Sequence, residues 1–157
     1  MVANYSNLVY VHDIIQTIIV YNPNFVMTLL QANADDWARK IINIKYSSKE
    51  VKLPNDRAID ALYIATDAEL KSLCIGFEVK SGNGIDKDQL TEELEGLREL
   101  RSCDKSYLIV IASREPDISL ENTYYIPLSA FLPKIKEVLG LVSRFVKEFE
   151  KKIKLFV

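Results

Sequence analysis

Histidine is almost missing from this chain: His12 is the only one in 157 residues. A zinc site built from several imidazoles and a serine–histidine–aspartate triad both lose their parts. A solitary histidine in an apolar segment also reads as structural before it reads as a general base. Cysteine is nearly as scarce. Cys74 and Cys103 stand far apart with no second pair, which excludes a CxxC-based metal site. Cys74, inside an apolar run, is expected to be a buried thiol rather than half of a disulfide. No apolar run reaches the roughly eighteen residues of a membrane span. The opening MVANYSNLVYVHDII lacks the basic segment that precedes the apolar part of a secretion signal. No GxxxxGK[ST] loop is present, so a P-loop is excluded. Five glycines and five prolines are too few for a low-complexity chain. These absences point to one intracellular globular domain spanning residues 1–157.

Charge of one sign is missing overall but not locally. The net charge of −2 argues against a generic basic nucleic-acid coat. Six acids and two bases lie between Asp86 and Leu100, whereas seven bases and three acids lie between Lys134 and Lys154. The basic segment suits either phosphate contacts or a solvated helix face.

The patterning predicts a helical part over residues 1–50, a core over 56–128 and a C-terminal helix over 129–157. Val9 to Tyr21 presents Ile14, Ile15, Ile18 and Ile19 on one helical stripe. Asn22-Pro23-Asn24 interrupts it, and Asn24 is placed to cap a second helix from Phe25 to about Ile44. Ser47 to Arg57 is polar and reads as a connection with a turn at Pro54-Asn55-Asp56. Ile59–Thr66 and Lys71–Ser81 read as antiparallel strands joined near Asp67. Gly82-Asn83-Gly84 reads as the turn that ends the second. Asp86 or Asp88 can cap a helix from about Lys87 to Arg101 that carries Leu90, Leu94, Leu97 and Leu100. Ser106–Ser113 is continuously apolar, as a central strand covered on both faces would be. Tyr124–Leu128 contains Pro127 and belongs at a sheet edge, its two tyrosines in packing rather than in base stacking. The last helix carries a long near-heptad stripe, which suits homodimerisation as well as packing on its own sheet. The fold class is therefore α+β (mixed α/β), a central sheet of about four strands flanked by helices.

Within IGFEVKSGNG, residues 75–84, an otherwise apolar strand carries Glu78 and Lys80 on one face. Such a pair is ordinarily a solvated one that contributes little. Asp60 changes the reading. A hairpin centred on residue 69 brings Asp60 opposite Glu78, and two facing carboxylates raise each other's pKa unless a cation joins them. Mg²⁺, a hard ion that takes one or two carboxylates plus waters and phosphate oxygens, fits that place. Lys80 then adds a fixed positive charge beside it.

Over residues 56–113 the order of acid, hairpin, Glu78-Val79-Lys80, helix and apolar strand resembles the PD-(D/E)xK nuclease superfamily, with its restriction-endonuclease-like core. As a whole, the chain is similar to the small nucleases of archaeal filamentous viruses. The resemblance implies that Asp60 and Glu78 hold Mg²⁺ or Mn²⁺, with the backbone carbonyl of Val79 as a further ligand. It implies that Lys80 orients or activates the hydrolytic water. Gln89 stands where some branches carry an accessory glutamine, and double-stranded DNA is the implied substrate. The proline–aspartate step is broken: Asn55 separates Pro54 from Asp56, and Asp60 follows isoleucine. Asp56 is therefore a rival first acid. Asp35, Asp36 and Glu50 are all candidates for the acid that the family often places on its first core helix. The alternative is a nucleic-acid-binding or structural viral protein that keeps the fold and uses Glu78 and Lys80 as a plain ion pair.

Overall fold

The computed structural model describes residues 2–80, 84–139 and 150–151. Helices α1 (Val2–Tyr21), α2 (Pro23–Asn33) and α3 (Asp36–Arg39) precede strands β1 (Ile41–Lys52), β2 (Ala58–Asp67) and β3 (Ser72–Lys80). Helix α4 (Lys87–Arg98) leads to β4 (Lys105–Ala112) and β5 (Thr123–Pro127), and a 3-10 turn (Leu128–Phe131) opens into α5 (Leu132–Leu139). The fold is α+β around a five-stranded mixed sheet in the order β1-β2-β3-β4-β5. The first three strands are antiparallel; β3, β4 and β5 run parallel. The expected long C-terminal helix, with the dimer contact assigned to it, lies largely outside the described residues, as does most of the Gly82-Asn83-Gly84 turn.

The fifth strand, β1, occupies a stretch expected to be helix end and loop. Register shifts between Ile41 and Asn43 and between Ile44 and Tyr46 break the two-residue alternation of this edge strand. Its half-buried positions therefore include Ile41, Ile44 and Ser47, a spacing of three that mimics a helix. The second helix ends at Asn33, and it starts two residues earlier than expected, with Pro23 in its first turn and Asn22 rather than Asn24 at the cap.

Two apolar layers sandwich the sheet. On one face Ile15, Ile18 and Ile19 of α1 and Leu30 of α2 pack on Tyr63, Ile75, Phe77 and Ile109. On the other, Leu90, Leu94 and Leu97 of α4 pack on Leu62, Cys74, Leu108 and Val110. Tyr124 packs with Trp37 and Tyr107, and Tyr125 donates to the Ala112 carbonyl across 3.1 Å, so both tyrosines are engaged in packing. Pro127 closes β5 at the sheet edge, where its missing N–H costs no ladder bond.

Cys74 is not a free thiol. It is disulfide-bonded to Cys103, with the Cα atoms 5.6 Å apart. The two are 29 positions apart in sequence. The intervening α4 crossover returns the chain beside β3, a closure that linear spacing does not reveal.

Helix α4 is seated closely on the β1–β2 turn. Asn55 donates to the Glu92 carbonyl across 2.7 Å, directly over Gly96. A methyl group on Gly96 would stand 2.9 Å from both Leu53 Cβ and Asn55 Cγ. Gly96→Ala gains helix propensity but overpacks this contact. A net loss of about 1–2 kcal/mol is expected in denaturant titration, and a stabilised variant would contradict the contact.

Candidate active site

The site forms where the β2–β3 ladder runs out. Asp67 Oδ1 accepts from the N–H groups of Glu69 and Lys71, each at 2.9 Å, and so fixes the hairpin turn. That turn sets a register in which Ala61 pairs with Phe77. One step further, Asp60 falls opposite Glu78, as the hairpin argument expects. The backbone pairing has ended there, and the Asp60 side chain takes over: its Oδ2 accepts from the Val79 N–H across 2.7 Å. Helix α1 holds Asp60 from the other side. His12 Nε2 is hydrogen-bonded to Oδ1 at 2.9 Å, and Gln16 donates to the Asp60 carbonyl at 2.7 Å. The hydrogen bond from His12 to Asp60 raises the histidine's pKa against the effect of its burial. His12, expected to be structural, thus positions Asp60.

Glu78 and Lys80 point to the α4 face. Lys80 Nζ lies 3.4 Å from Glu78 Oε1 and donates to Gln89 Oε1 at 3.2 Å. Gln89 in turn donates to Glu93 Oε1 at 2.9 Å. The aspartate that caps α4 is Asp86, whose side chain accepts from the Asp88 N–H. That start places Gln89 and Glu93 one turn apart on the inward face. Glu93 was not among the residues singled out from the sequence. Its signal was available: with Leu90, Leu94 and Leu97 it completes a stripe at spacings of three and four, so it occupies a core position.

The electrostatics are unbalanced. Glu93 is 1 % exposed and the Glu78 side chain 9 %, and the Oε2 atom of each is buried without a hydrogen-bond partner. As two carboxylates neither can donate to the other; only a shared proton or a cation satisfies both. Burial first, then the nearby Asp60 and Glu93, push the Glu78 carboxyl up to about 9, against the opposing pull of Lys80. Burial likewise raises Glu93. Three acids thus meet one lysine and one histidine.

The donor set is all oxygen, which suits Mg²⁺ or Mn²⁺. Among the described residues, no group of three or more His, Cys, Asp or Glu side chains is placed to hold a metal ion as the side chains stand. Asp60 is occupied by His12 and Val79, and Glu78 Oε1 by Lys80. Asp60, Glu78 and the buried Oε2 atoms fit such an ion if Lys80 turns aside.

The rival acids lie elsewhere. Asp56 is in the β1–β2 turn, 87 % exposed at its side chain and ion-paired with Lys52. Asp35 accepts from the Tyr124 hydroxyl at 3.0 Å, and Asp36 pairs with Arg39. Glu50 is exposed on β1 rather than on a helix. Beside Lys80, the parallel register places Ala112, which lines an open cleft of about 410 Å³ with Ile85, Arg114, Glu115, Asp117 and Ile118 among others. The site and the cleft lie at the carboxyl ends of β3 and β4, where open sheets with parallel strands commonly bind ligands.

Comparison with protein-family models, curated proteins and solved structures finds no match. No helix among the described residues is long and apolar enough to cross a membrane.

Proposed function

We propose that this chain is a metal-dependent nuclease that hydrolyses DNA phosphodiester bonds, with double-stranded DNA as its substrate and Mg²⁺ or Mn²⁺ as its cofactor. The observation that supports this most is the pair of buried, unpartnered carboxylate oxygens beside Asp60 and Lys80. A plain structural ion pair would need neither the second buried acid nor the histidine-held first one. The order of acid, hairpin, Glu78-Val79-Lys80 and helix, read above as a PD-(D/E)xK resemblance, points the same way.

In this reading Asp60 and Glu78 hold the cation, with the Val79 carbonyl as a further ligand. The bound cation supplies a Lewis acid for the scissile phosphate and a more acidic water. The chain's own residues do the rest. His12 and the Val79 N–H keep Asp60 in place. Gln89, which accepts from Lys80 Nζ at 3.2 Å, keeps the ammonium beside the site once it turns aside from Glu78, from where it can orient a water and face the charge that develops on the phosphate. The cleft beside Ala112 offers room for the nucleotide flanking the cut.

The test is incubation with linear and with closed circular double-stranded DNA, in Mg²⁺ and in EDTA, for wild type and Lys80→Ala. Cleavage that requires the metal and falls about 10²–10³-fold in the variant is expected. Salt-sensitive DNA binding with no cleavage in Mg²⁺ or Mn²⁺ would replace the enzyme by a binding module.

A further inference from the structure

We propose that Glu93 is a third carboxylate ligand of the divalent cation held by Glu78, an assignment that rests on the metal site of the nuclease reading. The evidence is a buried acid in a place that chemistry otherwise disfavours. Glu93 sits in the apolar stripe of α4 between Leu90 and Leu97, where a leucine would pack at no cost. Gln89 occupies its Oε1, and its Oε2 is left without a partner. The unsatisfied Oε2 of Glu78 repeats the defect on the facing strand. The two orphan oxygens belong to carboxyls that face each other, one from a strand and one from a helix, beside an ammonium that already serves Glu78 and Gln89. A hard cation bridging them satisfies both, and binding it releases Lys80 toward solvent and substrate.

The competing explanation is a proton shared between the two acids, with no ion. Glu93→Gln separates the two, because an amide keeps the hydrogen bond of the protonated acid but is a far poorer cation ligand. Glu93→Leu is the second variant: it continues the apolar stripe and leaves Glu78 its lysine. The probe is Mn²⁺ alone, measured by calorimetry and by paramagnetic resonance of the free ion, with thermal unfolding in EDTA and in Mn²⁺. Wild type is expected to bind Mn²⁺ and to unfold at higher temperature in its presence. Both variants are expected to be at least as stable as wild type in EDTA, to lose at least about tenfold in Mn²⁺ affinity and to lose the thermal shift. Affinity within twofold of wild type in a folded variant overturns the assignment. If the wild type then still cleaves DNA in Mg²⁺, only the role of Glu93 has failed. A wild type that binds no Mn²⁺ overturns this assignment and the nuclease reading together.

Discussion

Glu78→Gln is expected to abolish DNA cleavage and, at the same time, to stabilise the protein. Loss of a metal-binding carboxylate should lower turnover by about 10³-fold or more, the upper range for removing one group that stabilises developing charge. The stability effect runs in the opposite direction. Glu78 is buried beside Asp60 and Glu93, with only Lys80 to offset them. Folding near neutral pH must either bury this carboxylate or place a proton on it, and a neutral group of the same shape avoids that cost, which often stabilises by about 1–4 kcal/mol. The pH dependence gives a sharper signature. The Glu78 pKa is raised from 4.5 to about 9 on folding. Between those values the folded state keeps a proton that the unfolded chain has released. Stability from this group is therefore complete below about 4.5 and is lost as pH rises through about 9. Glu93, raised for the same reason, acts in the same direction. Denaturant midpoints in EDTA should fall from pH 5 to pH 9 in the wild type and fall much less in the variant. An equal fall in both would show that the buried carboxyl is not the group responsible.

Reduction of the Cys74–Cys103 bond is the second large effect. The bridge closes a loop with a sequence separation of 29 that contains the whole of α4. Loop-closure entropy for a ring of that size is worth about 3–4 kcal/mol. For a chain of this length that corresponds to a fall in Tm of about 10 °C, read by thermal unfolding with and without a thiol reductant. Because α4 carries Gln89 and Glu93, loosening it should also reduce activity at temperatures where the reduced protein is still folded. Superimposable melting curves would show that packing alone holds α4 on the sheet. The disulfide also removes one argument for an intracellular protein. Such bonds are rare in mesophilic cytosol and frequent in secreted proteins and in intracellular proteins of hyperthermophiles.

Much of the site was legible because its geometry is local. A hairpin converts sequence distance into spatial distance with little freedom, so Asp60 and Glu78 equidistant from residue 69 come opposite, and the observed register agrees. The helix from Lys87 and the edge position of Pro127 follow from equally short-range rules of capping and ladder bonding. Strand β1 was not legible: bulges replaced its period of two by a spacing of three, and helix and strand then look alike.

What the sequence by itself determined is the α+β class, the hairpin and the pairing of its acids, all of which depend on neighbours within about twenty residues. What only the tertiary structure decided are contacts between segments far apart in the chain. His12 reaches Asp60 from 48 positions away, the Glu93 carboxyl meets that of Glu78, and Cys103 closes on Cys74. Asp56, equal to Asp60 in the linear pattern, is left in solvent by the β1–β2 turn. The physical reason is common to all four: helix and strand periodicity predicts which face a residue takes, but only packing of the α1 and α4 layers on the sheet determines what that face meets.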